Sequence, residues 1–123
     1  MNDSIGVFVV HFEESKHFYT QLLSAIGYSF IIELPSNLTG QPHAAGFGKG
    51  PELSFWVTHS ERLTRNKTVS FSVENSELVN LFFRKSLVLG ANICCSPSIG
   101  QDKHYKTSVF DPEGNKLEVF CRY

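Results

Sequence analysis

The sequence runs through one order of elements twice, and that repetition limits its possible folds more than any other feature. IGVFVVH (residues 5–11) has the β-branched and aromatic content of a strand. EESKHFYTQLLSAIG follows as a helix. Phe18, Leu22, Ala25 and Ile26 recur at helical spacing, Glu13 and Glu14 lie in the first turn, and Gly27 is the stop. Strands are then expected over residues 28–34, 43–48 and 52–58. After the polar HSERLTRN the order starts again with an alternating strand, residues 67–74. NSELVNLFFRKSLVLG reads as a helix with Asn75 as N-cap, Glu77 in the first turn and Gly90 as the stop. Its apolar positions are Leu78, Leu81, Phe82, Leu87 and Leu89. Strands follow over residues 91–96, 104–110 and 115–121. Ser4 falls against Thr68, Gly27 against Gly90 and Phe55 against Glu118, a period of about 63 residues with little identity between halves.

The reading is therefore α+β: two βαβββ modules, about residues 1–58 and 67–123, joined by a linker over 59–66. Each module makes a sheet with a helix on one face. The 123 residues fit a single domain that buries enough surface to need no staples. A mixed sheet covered on one side only can curl into a cup, a shape that suits a small-molecule ligand.

Bulk composition excludes some classes. Net charge is −1 with Lys and Arg scattered, so the basic stripe of a nucleic-acid binder is not expected. No apolar run approaches the ~20 residues of a membrane-spanning helix. MNDSIGVFVVHFEES has neither a basic leader nor a small-residue cleavage site. Three cysteines without C-x-x-C spacing fit free thiols in a reducing cytoplasm. Cys94 and Cys95 are adjacent in a strand, so one is expected in the core and the other on the opposite face. No cation or base is visible beside either, which gives a nucleophilic role no support.

Alternation assigns the faces. Val69, Phe71 and Val73 belong under the second helix, and Thr68, Ser70 and Ser72 on the open face. Ile5, Val7 and Val9 take the core side of the first strand, and Ser4, Gly6, Phe8 and Val10 its open side. On the last strand Leu117, Val119 and Cys121 are core; Lys116, Glu118 and Phe120 are open. HYKTSVF puts Lys106, Ser108 and Phe110 on the cup side. Phe55 is expected in the cup and Trp56 against the helix. Phe8, Phe55, Phe110 and Phe120 would then give an aromatic lining suited to flat or apolar ligands.

The paired modules, SKHFYTQLLSAIGY, AAGFGKGPELSFWV and above all FDPEGNKLEVF resemble the vicinal oxygen chelate superfamily, the glyoxalase, bleomycin-resistance and extradiol-dioxygenase group. The resemblance spans nearly the whole chain. It implies a cup of two modules whose first and last strands supply metal ligands in the metal-dependent members, typically His or Gln, Glu, His and Glu. Carried over, those positions are Ser4, Phe55, Thr68 and Glu118. Only Glu118 is a suitable donor, and a divalent metal generally needs three or more. No metal or other cofactor is therefore expected. His43 and His104, on strands that line the cup in relatives, are the remaining candidate donors. The SIGQDKHY loop would edge the cup entrance.

Three roles stay open for Glu118: a structural carboxylate held by Thr68, Ser70 or Lys106, a group that orients ligand, or a general base. The expected ligand-binding set is Ser4, His43, Phe55, Thr68, Ser70, Lys106, Ser108, Glu118 and Phe120, with Glu118 as the candidate catalytic residue. The leading expectation is a cytoplasmic homodimer that binds a small organic molecule without a metal, and neither nucleic acid nor membrane. The alternative is a glyoxalase-type lyase or isomerase that uses Glu118 as a base or with a metal on unexpected donors. A third possibility is a cup filled by side chains or by a partner subunit. Whether turnover occurs stays open.

Overall fold

The structure, a computed structural model, describes residues 5–37 and 40–122. Strands β1 (Ile5–Val9), β2 (Ser29–Leu34), β3 (Ala44–Lys49) and β4 (Glu52–His59) form one sheet in the order β1-β4-β3-β2. Strands β5 (Thr68–Ser72), β6 (Asn92–Ile99), β7 (His104–Phe110) and β8 (Lys116–Arg122) form a second in the order β5-β8-β7-β6. In each sheet the first strand runs parallel to the last, and the other pairs are antiparallel. Helix α1 (Phe12–Leu23) lies between β1 and β2, and α2 (Ser76–Val88) between β5 and β6. This is the doubled βαβββ architecture that the repetition predicts. No helix among the described residues is long and apolar enough to cross a membrane.

Local chemistry sets the helix ends. α1 tightens into a 3-10 turn over Ser24–Ile26 and stops at Gly27, whose φ of 89° is the left-handed conformation that glycine adopts without strain. Asn75 caps α2 by accepting from the Leu78 amide at 3.0 Å. The buried stripe of α2 differs from the expected one: Val79, Phe82 and Ser86 face inward, while Leu81 and Leu87 are 39% and 52% exposed. The leucines spread round more of the helix than one sheet can cover, and the sheet takes the stripe through Phe82.

One core runs through both modules. Phe55 is fully buried, with ring centroids 5.1 Å from Tyr19, 6.2 Å from Phe47 and 5.5 Å from Phe71. Tyr28 meets Phe71 edge-on at 5.4 Å. Phe55 is thus a core residue that joins the modules and not part of an open cup. Truncating such a phenylalanine costs about 3–5 kcal/mol, well above the ~0.5–1.5 kcal/mol of an aromatic pairing alone.

A polar latch reinforces the join. In the turn between β7 and β8, the Asp111 carboxylate is 3% exposed. Its Oδ1 accepts from the Glu113 and Asn115 amides at 2.8 and 2.9 Å, and its Oδ2 from Asn115 Nδ2 at 2.9 Å and from Tyr19 Oη at 2.6 Å. Tyr19 belongs to α1, so the turn of one module grips the helix of the other. Burial, with the neighbouring Asp111 charge, pushes the Tyr19 phenol well above its ordinary pKa and keeps it a donor. Glu113 accepts from the Val10 and His11 amides at 2.8 and 2.7 Å, two donors at the start of α1. Asn115 Oδ1 accepts from the Lys67 amide at 2.9 Å.

Tyr19→Phe keeps the ring packing and removes one donor from a buried carboxylate. It is expected to lower unfolding free energy by about 1–3 kcal/mol, read as a lower urea midpoint at unchanged slope. An unchanged midpoint would contradict the latch.

Candidate functional site

The face of each sheet turned away from its helix is where a ligand can lie. In the second module, register places Ser70 opposite Glu118, Ser108 opposite Glu118, and Lys106 opposite Phe120. These residues share the open face, as the alternation predicts. Ser70 Oγ donates to Glu118 Oε1 at 3.1 Å, and Lys106 Nζ stands 3.9 Å from Glu118 Oε2. The Glu118 side chain is one-quarter exposed. Thr68 is exposed on the same face but lies opposite Lys116, one pair further along. His104 is also here, its ring 5.2 Å from that of Phe120.

The turn between β6 and β7 supplies a second carboxylate. Asp102 accepts from the His104 amide at 3.1 Å and from Lys106 Nζ at 3.1 Å, and lies 3.2 Å from His104 Nδ1. The His104 amide, then Lys106, hold its pKa down to about 2 from an ordinary 3.8. Lys106 is raised, first by Asp102 and then by Glu118. Lys106 therefore bridges the turn and the strand that carries Glu118.

The first module departs from expectation. Phe55 is buried on the helix side, and Trp56 takes the open face opposite Gly6. A Cβ built on Gly46 would come within 3.0 Å of the Trp56 ring and 2.8 Å of Leu53, so both side chains lie over Gly46. The halves therefore correspond as Gly6–Trp56 to Ser70–Glu118. The expected match of Phe55 to Glu118 is one residue out, and a one-residue slip moves a side chain to the other face. Gly6 is required sterically: a Cβ there would lie 2.4 Å from the Trp56 carbonyl oxygen. Ile5, Gly6, Val7, Phe8, Trp56, Thr58 and Lys67 line a hollow of about 330 Å³. Lys67 Nζ donates to the Gly6 carbonyl at 3.2 Å and sits 5.7 Å from the Phe8 ring centroid.

His43 also lies away from the expected face. It precedes β3, its ring meets Phe12 of α1 at 4.6 Å, and its Nε2 bonds Glu33. Lys16 of α1 donates to the other oxygen of Glu33 at 2.7 Å and, with His43, lowers the Glu33 pKa. His43 thus belongs to a cluster on the helix side of the first sheet. Ser4 lies outside the described residues.

The thiols depart from the expected placement for a different reason. Ile93 lies opposite Val109 and Cys95 opposite Ser108, so Cys94 is an extra residue in β6, a β-bulge. Both Cys94 and Cys95 are exposed, and Cys121 is buried in the core. No pattern in the sequence announced the bulge.

These residues do not fit a divalent metal. Of the positions the resemblance implies, Phe55 is buried in the core and Thr68 offers only a hydroxyl, which leaves Glu118 as the one carboxylate, and the open-face pair of the first module, Gly6 and Trp56, supplies no donor side chain of the metal-binding kind. Among the described residues no group of three or more His, Cys, Asp or Glu could hold a metal ion.

No protein-family model matches the chain, and no curated protein matches it. Solved structures do. A glyoxalase/bleomycin resistance protein from Albidiferax ferrireducens superposes with a TM-score of 0.79 at 23% identity over 98% of both chains. A lactoylglutathione lyase from Agrobacterium tumefaciens gives 0.70 at 16% identity, over 98% of this chain and 92% of that one. A mutant fosfomycin resistance protein from Listeria monocytogenes, complexed with manganese(II) and a dihydroxypropylphosphonic acid, gives 0.73 at 12% identity over 98% and 90%. The likeness at these identities is one of fold, and the chain has the glyoxalase/bleomycin resistance fold.

The Asp102 contacts are present while its carboxylate is charged and are lost as pH falls toward 2. Its carboxyl carbon, followed by NMR in acid, should titrate with a midpoint near 2. An ordinary midpoint near 3.8 would show that the carboxylate holds neither the His104 amide nor Lys106 in this way.

Proposed function

We propose that this chain binds a small organic molecule against the open faces of its two sheets, without a catalytic metal, as a homodimer in a reducing cytoplasm. The observation that carries this reading is the contrast between the faces. The first module offers Phe8 and Trp56 around a hollow of about 330 Å³, within the size of small-molecule pockets. The second offers the exposed hydroxyl of Ser70 and the charges of Lys106 and Glu118, with Ser108 beneath them at 4% exposure. An apolar plate suits a flat or aromatic group, and paired donors and acceptors suit a polar head. The ligand class is therefore amphipathic: a flat apolar body with a hydrogen-bonding or charged end.

A homodimer accounts for the exposed apolar residues of β1. Ile5 and Phe8 are 50% and 45% exposed, and among the described residues β1 pairs with β4 alone in its sheet. An unpaired apolar edge is a surface that proteins tend to cover. A second copy over this edge would enclose the hollow and give the ligand two walls.

The enzyme reading, a glyoxalase-type lyase or isomerase, keeps one observation in its favour: Glu118 is a partly exposed carboxylate on the open face with a hydroxyl beside it. As a general base it would take a proton from a ligand lying against Ser70. In the binding reading the same carboxylate accepts a hydrogen bond and no product forms.

Thermal shift in the presence of a chelator, against a library of flat aromatic amides and acids, separates these readings. Ligands are expected to raise Tm with the chelator present, the shift rising with ligand concentration. Trp56→Ala is expected to reduce affinity about tenfold or more, equivalent to ~1.4 kcal/mol. Glu118→Ala should weaken ligands with a donor group more than those without. Stoichiometric uptake of nickel, zinc or manganese, with ligand binding dependent on it, would contradict the proposal.

A further inference from the structure

We propose that Cys94 and Cys95 form a redox-active dithiol on the open face, converted by a hydroperoxide into a disulfide between adjacent residues. In a regular strand neighbouring side chains point to opposite faces, and two adjacent cysteines cannot meet. The bulge at Cys94 removes that barrier. It sets Cys94 and Cys95 together against the single residue Ser108 of β7. Ser108 lies opposite Glu118, so the pair belongs to the open face.

The surroundings agree with this placement. The Ser108 hydroxyl, then Cys95 and Lys116, hold the Cys94 thiol below its ordinary pKa, with partial desolvation and then Glu118 opposing them. Cys95 in turn acts on Lys106. Ser108, Lys116, Lys106 and Glu118 all stand on the open face. A thiol that loses its proton more readily and is open to solvent meets the two conditions for reaction with a peroxide. Cys121 is 2% exposed in the core beneath the sheet and cannot serve as the partner.

The reaction balances in two steps. The Cys94 sulfur attacks one peroxide oxygen, the O–O bond breaks, and an alcohol or water leaves with the thiol proton; sulfur is oxidised to sulfenic acid and the peroxide reduced. The Cys95 sulfur then displaces the sulfenic oxygen. An S–S bond forms, an S–O bond breaks, and water departs.

Geometry also fixes the kind of disulfide. Adjacent Cα atoms are about 3.8 Å apart, below the roughly 4.4–6.8 Å of ordinary disulfides. Such a bond is strained, and strained exposed disulfides are readily reduced. This one would act as a reversible modification of the ligand face and not as a structural staple. Its formation takes away the Cys94 proton beside Ser108, next to Glu118. The inference does not depend on what the face binds.

The test is mass spectrometry of the reduced full chain after equimolar hydrogen peroxide and alkylation. The expected result is a peptide with both Cys94 and Cys95 unalkylated and lighter by about 2 Da, restored by mild dithiol reductant. Cys121 should alkylate only after denaturation. Cys95→Ser should stop at a sulfenic acid on Cys94, trapped by dimedone, and Cys94→Ser should form no intrachain disulfide. A wild-type chain that instead accumulates sulfinic acid at either residue, stays reduced, or links two chains through these cysteines would overturn the proposal. The wild-type measurement stands alone even if a variant folds poorly.

Discussion

The buried carboxylate of Asp111 is the interaction on which the arrangement of the two modules rests. An ionised group at 3% exposure is tolerable only when its oxygens are satisfied. Three of its four donors come from its own turn and the fourth from Tyr19 of the other module. Separating the modules would cost the buried carboxylate its fourth donor and leave the Tyr19 phenol without its acceptor. The apolar contacts among Tyr19, Phe55 and Phe71 sit beside this bond and favour the same docking. Glu113 adds a third link by accepting the amides at the start of α1. The turn that first reads as a simple connection between strands is thus the part of the second module that holds the first.

With the helix-side faces joined in one core, the opposite faces are free to differ, and they do. Gly6 lets β1 approach β4 so closely that no side chain fits at that point, and Trp56 spreads over Gly46. The result is a smooth aromatic surface. The corresponding positions of the second module carry Ser70 and Glu118, which make a hydrogen-bonded pair. Duplication supplies the frame. Different residues at matched positions supply one apolar wall and one polar wall. That division of labour favours recognition of an amphipathic molecule over coordination of a metal, which needs convergent donors from both halves.

The sequence made the architecture legible because it is written in period. Helix stops at Gly27 and Gly90, the Asn75 cap and the alternation of Thr68–Ser72 all carry a local physical signal, and the structure follows them. Lys106, Ser108, Glu118 and Phe120 were placed on their face by the same alternation. Two of the differences come from register. Alternation fixes which residues share a face only if the register is known, and bulges change the register without a compositional mark. A slip of one residue exchanged Phe55 for Trp56, and an extra residue in β6 brought two thiols to one side. His43 was lost to a partner outside its own strand: Glu33 and Phe12 draw it to the helix side. The link between Tyr19 and Asp111 spans modules, so no local pattern announces it.

The most direct test of the account is amide and indole chemical-shift mapping of the chelator-treated protein as naphthoate, or its uncharged amide, is added. The account predicts saturable shifts at the Trp56 indole N–H and at the amides of Ser70, Ser108 and Glu118, with α1 and α2 little changed. Shifts confined to the helix side, or seen only after a divalent metal is restored, would contradict it.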